Sequence, residues 1–385
     1  MILSITVYTL VGVMLFYFGW HYNKRFSLST EYHTTKQFLL SWEIIASFVL
    51  FSLITGLRYH TGWDHECYIQ DYVQYQNEGT LYRPDFEPGF RLIETIFAKL
   101  GFHYSFFFGF FGFVNIFFIY FALRKQRSTI PWVGLCTMMG IYYLHLINSL
   151  RQGIVECVFV SLILLVEHKK YLLYFIFAIL LSLIHKVALL IIPLFFIAHN
   201  NYQLKYRWSL LIVYFVFFII GQFPELLFRV VNACGDLISY YGYKKYIILL
   251  NTNSYYAFRR TPFGIVSIII MIIHLFLIYF YPKLKEEYKG NAFFAMSFKL
   301  CFAYMCYYVL VQNTAFYFKR PSELMMPFFI ITISYLLSYF VKHKQTRLLT
   351  VFLVLNISII IITHIKLFFN YYQDTTSLYH FIPIN

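Results

Sequence analysis

The amino-acid sequence predicts an all-α, polytopic integral membrane protein with about twelve transmembrane helices (ten to twelve), and three observations carry that prediction. The 385 residues are 60% hydrophobic and only 12% charged, with a mean hydropathy of +0.64. A soluble chain, at about 25% charge, could not cover its surface with that balance. Apolar runs near the ~20 residues that cross a bilayer recur from end to end. Lys and Arg concentrate in alternate connections between the runs, as the sidedness of membrane proteins requires.

The runs lie near 2–20, 38–57, 104–123, 131–147, 152–166, 171–184, 187–199, 208–223, 263–281, 292–312, 324–341 and 348–369. In lipid each backbone polar group must be satisfied within its own segment, so the runs are expected to be helices. The first has no basic n-region and no small-residue cleavage site, and reads as a retained span, not a signal peptide. The sixth and seventh are short and split by His185-Lys186, which suggests a kinked or re-entrant pair. No polar stretch is long enough to bury a core of its own, so residues 1–385 form a single transmembrane domain.

Connections 21–37, 124–130, 167–170, 200–207, 282–291 and 342–347 carry two or three Lys/Arg each. They are therefore expected to be cytoplasmic, with both termini on the outer side. Two longer loops, 58–103 and 224–262, then lie outside. Seven of the 17 carboxylates fall in the first of them, which is Tyr-rich and closes with Phe86-Glu87-Pro88-Gly89-Phe90. That segment reads either as a solvated loop collecting charge or as an ordered turn entering an amphipathic helix.

The net charge of +14 is scattered in pairs and triplets between apolar runs, not gathered on a face, so nucleic acid is not an expected partner. Cys136, Cys157, Cys301 and Cys306 lie in predicted spans as packing residues. Cys67 and Cys234 fall in outer loops and could pair in an oxidising compartment. No Cys-x-x-Cys occurs.

Arg58, Arg151, Arg260 and Arg320 all fall close to span ends on the predicted outer side, where cations are disfavoured, so an anion is expected there. In Arg58…Gly62-Trp63-Asp64-His65-Glu66, the guanidinium either grips a phosphate beside the Asp64 carboxylate or forms a loop-holding salt bridge. Asp64, Glu66 and one His make only a thin divalent-cation site, and no metal is expected. In Asn148-Ser149-Leu150-Arg151-Gln152-Gly153, Arg151 and Gln152 occupy the first turn of a span. Free N–H groups and a planar guanidinium favour phosphate there, although an idle arginine could also snorkel. Glu156 lies inside the same span and needs a partner. His185, beside Lys186, is either a structural histidine or a base for a sugar hydroxyl. The doublets Arg259-Arg260 and Lys319-Arg320 add cations. Tyr240, Tyr241, Tyr243, Tyr246, Tyr255 and Tyr256 crowd the loop before the first doublet, as an interfacial belt or a surface for stacking sugars. No P-loop, dinucleotide fingerprint, nucleophile elbow or zinc helix occurs, and no cofactor is expected.

Taken together, these segments resemble the EpsG family of Wzy-like polysaccharide polymerases over roughly residues 40–330. The likeness lies in Arg58…Thr61-Gly62-Trp63-Asp64 with Tyr68 and Tyr72, Glu87-Pro88-Gly89-Phe90, Asn148–Gly153, His185-Lys186-Val187-Ala188-Leu189 and Arg320. Ile184 and Val187 stand where that family has Phe and Ser. The resemblance implies a glycosyltransferase-C-like enzyme at the outer face of a bacterial cytoplasmic membrane. It would join undecaprenyl-diphosphate-linked oligosaccharide repeats into exopolysaccharide, capsule or O-antigen, without a nucleotide sugar. Arg151, Arg260 and Arg320 would neutralise the departing diphosphate, with Arg58, Gln152, Lys186, Arg259, Lys319 and Glu87 lining the same site. Asp64 or His185 would take the acceptor proton, His185 being preferred for its pKa. A flippase and a chain-length regulator are the partners implied. A transporter or flippase of lipid-linked glycan, or an O-antigen ligase, is the alternative.

Overall fold

The computed structural model describes residues 2–27, 34–59, 61–62, 64–139, 141–200, 206–233, 264–314 and 316–369. Among these residues the regular structure is helical throughout, with no strand. The first part of the chain forms α1 (Ile2–Ser27), α2 (Thr35–Leu39), α3 (Trp42–Gly56), α4 (His65–Glu78), α5 (Pro88–Lys99) and α6 (Tyr104–Leu123). The middle forms α7 (Ile130–Met139), α8 (Ile141–Asn148), α9 (Leu150–Glu167), α10 (Tyr171–Ser182), α11 (Ile191–His199), α12 (Arg207–Gly221) and α13 (Pro224–Ala233). The last part forms α14 (Ile265–Glu287), α15 (Ala292–Val311), α16 (Arg320–Glu323), α17 (Met326–Lys342) and α18 (Thr346–Phe369). A 3₁₀ turn, Lys186–Leu190, joins α10 to α11.

Among the described residues, five helices (α1, α6, α14, α15 and α18) contain stretches long and apolar enough to cross a bilayer. The run expected at 131–147 is not one rod: α7 and α8 meet at a 65° bend, and count as a sixth span if the pair crosses together. The other apolar helices, such as α3, α10, α12 and α17, are shorter than 18 residues. This is a multi-pass membrane protein, and its outward faces fit that. Leu172, Trp208, Ile212 and Ile219 are 74%, 65%, 64% and 57% exposed, which would be costly in water and is favourable against hydrocarbon.

The core gathers around α9. Fifteen of its residues are buried, including apolar ones on every side, and a helix apolar all round belongs inside a bundle. It packs against α6, α8, α10, α11, α15 and α17. Alongside, α3 lies close to α6 because glycines face the crossing: a Cβ on Gly56 would sit 2.6 Å from the Ser105 carbonyl oxygen. Small residues at such crossings let backbones approach. Phe48 of α3 packs against Phe113, Phe117 and Tyr120 of α6 along this seam.

Residues 65–99 fold into a helical hairpin of α4 and α5. Gly79 ends α4 in the left-handed region (φ 69°), and Glu87 and Pro88 start α5, with Pro at a position where its missing N–H costs nothing. Within the second long loop, α13 is the described part. Two helices, α9 and α17, end with lysine in the left-handed region, Lys169 and Lys344, a position usually held by glycine.

Candidate functional site

Arg151 lies in the first turn of α9, and its guanidinium is held from three directions. Nη1 donates to a carboxylate oxygen of Glu87 and Nε donates to the Tyr68 hydroxyl at 3.4 Å. The plane stacks on Phe86, 4.0 Å from the ring centroid. Tyr68 comes from α4, and Phe86 and Glu87 from the turn into α5, so the hairpin is what positions Arg151. Flat, delocalised and weakly hydrated, a guanidinium suits this combined stacking and pairing as an ammonium does not.

Glu87 is held in turn by the break between α10 and α11. Its other oxygen accepts the Lys186 backbone N–H at 3.2 Å. Beside it, the Gly89 and Phe90 N–H groups donate to the Leu183 carbonyl at 2.8 and 3.3 Å. The approach is possible because residue 89 is glycine: a Cβ there would stand 2.8 Å from that oxygen. His185 caps the 3₁₀ turn, its Nδ1 accepting the Val187 N–H at 3.1 Å. That turn packs against α9 and against the short helix α16, which begins with Arg320.

Beneath Arg151 runs a buried polar network. The Gln152 amide nitrogen donates to Glu156 at 3.0 Å, to Glu323 at 2.9 Å and to the Arg320 carbonyl at 3.4 Å. Glu156 also pairs with His145 Nε2 at 2.7 Å, and His145 Nδ1 stands 3.8 Å from Glu323. Two carboxylates are thus compensated by one imidazole and one amide, and α8, α9 and α16 are tied together. Buried charge is retained only with such partners.

Asp64, at the start of α4, closes the group. Asn148 Oδ1 accepts its backbone N–H at 3.3 Å. Burial pushes its carboxyl above the ordinary carboxylate range, and the positive charges of Arg320, Arg151 and Arg83 oppose that. His185 is pushed down to about 4 by burial, with Glu87 opposing and Arg151, Arg320 and Lys186 adding to the effect. The imidazole is therefore neutral at pH 7. Since Nδ1 accepts from Val187, its proton is on Nε2, and His185 offers an N–H donor. Burial likewise lowers Lys319, against the pull of Glu323.

Of the residues singled out in the sequence, Asp64, Glu87, Arg151, Gln152, His185, Lys186 and Arg320 come together at the end of the bundle where α9 begins. Lys319 directly precedes α16. Arg58 is fully buried in the wall: its Nη1 donates to the Ile147 and Thr61 carbonyls, and its guanidinium lies 5.0 Å from the Phe108 centroid. A cation at the C-terminal carbonyls of α8 is favourable there. Glu87 and the Gln152 side chain make contacts within the protein, to Arg151 and to the network. Arg259, Arg260 and Cys234 lie outside the described residues. Among the described residues no cluster of three or more His, Cys, Asp or Glu side chains could hold a metal. His145 and Glu323 are the members the sequence did not single out. Glu156, a carboxylate within an apolar run, was the available signal that such partners exist.

The sequence model of the EpsG family matches residues 42–381. The chain belongs to the EpsG family. Wzy-like polysaccharide polymerase is the general kind of protein in this family. No curated protein and no solved structure matches the chain.

Proposed function

We propose that this EpsG-family protein joins oligosaccharide repeat units carried on undecaprenyl diphosphate, at the outer face of a bacterial cytoplasmic membrane. The observation that carries the reading is the convergence of Arg151, Arg320, Lys186, His185 and Asp64 around the N-terminal end of α9. These cations stand beside the Asp64 carboxylate and the Glu87 carboxylate that pairs with Arg151, an arrangement suited to a diphosphate leaving group beside a sugar hydroxyl. Charge patterning supports placing this end outside and crossing the membrane about twelve times, since Arg151, His185 and Arg320 fall in connections that alternate with the Lys/Arg-rich ones.

In this reading the acceptor hydroxyl oxygen attacks the anomeric carbon of the donor glycan. The bond from that carbon to the phosphate oxygen breaks, and the electron pair leaves on undecaprenyl diphosphate. Arg151 and Arg320 stabilise the growing phosphate charge, as does the positive end of α9. We assign proton removal to Asp64, the carboxylate beside Arg151 and Arg320, because His185 Nδ1 is taken by the Val187 N–H and its Nε2 already carries the proton. His185 donates from Nε2–H to a phosphate or sugar oxygen. Glu87 keeps the Arg151 plane in register and leaves Nη2 for the substrate.

The test is purified protein in sealed vesicles loaded on one side with lipid-linked repeat units. Longer lipid-linked chains, formed without transfer of lipid between leaflets, support the reading. Transfer between leaflets without lengthening overturns it in favour of a flippase. Transfer only onto a lipid A core overturns it in favour of a ligase.

A further inference from the structure

At the opposite end of α9, roughly 24 Å along its axis from Arg151, a cavity of about 720 Å³ opens between the α9–α10 connection, the end of α11 and the α14–α15 connection. Four lysines line it (Lys169, Lys285, Lys289 and Lys299) against two carboxylates, Glu167 and Glu286, so it is net positive. Its wall includes Tyr171 and Ala292, the first residues of α10 and α15, which bring the positive ends of two helices to the same space, that of α15 capped by the Asn291 side chain accepting the Phe294 N–H. The residue before α10, Lys170, gives that helix no side-chain cap. Tyr281, Tyr288, Phe294 and Met296 make the deeper side apolar. Lys299 donates to the carbonyls of Ala198 and Asn200, fixing one wall. Lys169 holds the left-handed position that ends α9 (φ 57°) and so brings its ammonium to the rim of the cavity.

We propose that this cavity is a second anion site, separate from the one at Arg151, which takes the phosphate headgroup of an acidic phospholipid and lays part of its chains against the aromatic side. Phosphate is the matching chemistry because helix N-termini and ammonium groups converge on one space. An apolar wall beside it favours a lipid over a soluble phosphate. Occupancy would tie together three connections and so stiffen α9 from its far end.

The experiment uses the full chain purified in a neutral detergent. Phosphatidylglycerol and phosphatidylcholine are added in turn, and bound lipid is counted by native mass spectrometry. Phosphatidylglycerol is expected to bind at least about tenfold more tightly. The double variant Lys169→Gly, Lys289→Gln is expected to lose that preference, and its matched control Lys36→Gln, Lys344→Gly to keep it. Lys169→Gly suits the left-handed backbone and Lys289 is exposed, so neither change threatens folding. Lys289→Gln alone, expected to weaken binding severalfold, serves if the double variant melts early. Displacement of the lipid by millimolar inorganic phosphate supports a headgroup-only site open to soluble phosphate, and its failure supports a lipid site. Equal binding of both lipids, with no binding of inorganic phosphate, overturns the proposal. So does equal loss in the control variant.

Discussion

Arg151→Lys isolates what a planar cation does that a point charge cannot. Lysine keeps the positive charge and one contact to Glu87. It loses the hydrogen bond from Nε to Tyr68, worth about 1 kcal/mol net, and most of the stacking on Phe86 at 4.0 Å, worth about 0.5–1 kcal/mol. It also loses the oriented Nη2 N–H that a phosphate would use, worth about 1 kcal/mol more. These effects sum to about 2–3 kcal/mol of transition-state stabilisation, or roughly a 30- to 150-fold slower polymerisation. The assay is chain growth from purified lipid-linked repeats, read as a gel ladder over time, with thermal melting to show that the variant is folded. A folded Arg151→Lys protein that extends chains within twofold of the native rate would refute the role given to the oriented guanidinium.

Three other outcomes follow from the same geometry. Asp64→Asn should slow polymerisation by roughly 10²- to 10⁴-fold, whereas His185→Gln, which keeps an N–H donor, should lose far less; initial rates decide. The acid limb of the native pH–rate profile should lie above the ordinary carboxylate range, activity falling as the pH drops through the raised Asp64 pKa, and equal losses in both variants would contradict the assignment of the base. Glu94 on α5 is raised to about 7 by burial and by Asp71, with Arg91 between them. A carboxyl raised in the folded state contributes stability fully below about pH 4.5 and loses it as pH rises through about 7, a change of about 3 kcal/mol. Amide exchange in the α4–α5 hairpin should therefore quicken between pH 5 and 8, and Glu94→Gln should flatten that dependence. Gly56→Ala should cost about 1–3 kcal/mol through forced separation of α3 from α6, visible as a lower melting temperature.

Helices were legible wherever composition alone decides, because a run with no water to satisfy its backbone has one structure available to it. Packing was less legible. The bend between α7 and α8 leaves no trace in hydropathy, since both halves are apolar. Arg58 and Arg151 look alike in sequence, each a lone cation next to a span. What separates them is that Arg58 faces the ending carbonyls of α8, while Arg151 faces a carboxylate, a phenol and a benzene ring brought from 60 or more residues away. The partners of Glu156 were implied by its cost but not identified, because His145 and Glu323 become its neighbours only once α8 and α16 are folded against α9. His185 was legible as a polar residue at a break. Its tautomer depends on one backbone N–H, that of Val187, and therefore on the local turn.

The hydrogen bonds of Glu87, Gly89 and Phe90 to Leu183 and Lys186 join two segments nearly a hundred residues apart in a short, rigid clasp. Neither side can be exchanged alone. A chimera that imports the hairpin of another family member must import its α10–α11 junction as well, or Arg151 will face a partner set at the wrong height. Natural replacement of either stretch in this family should therefore come paired with replacement of the other, and directed recombination should cut on both sides of each.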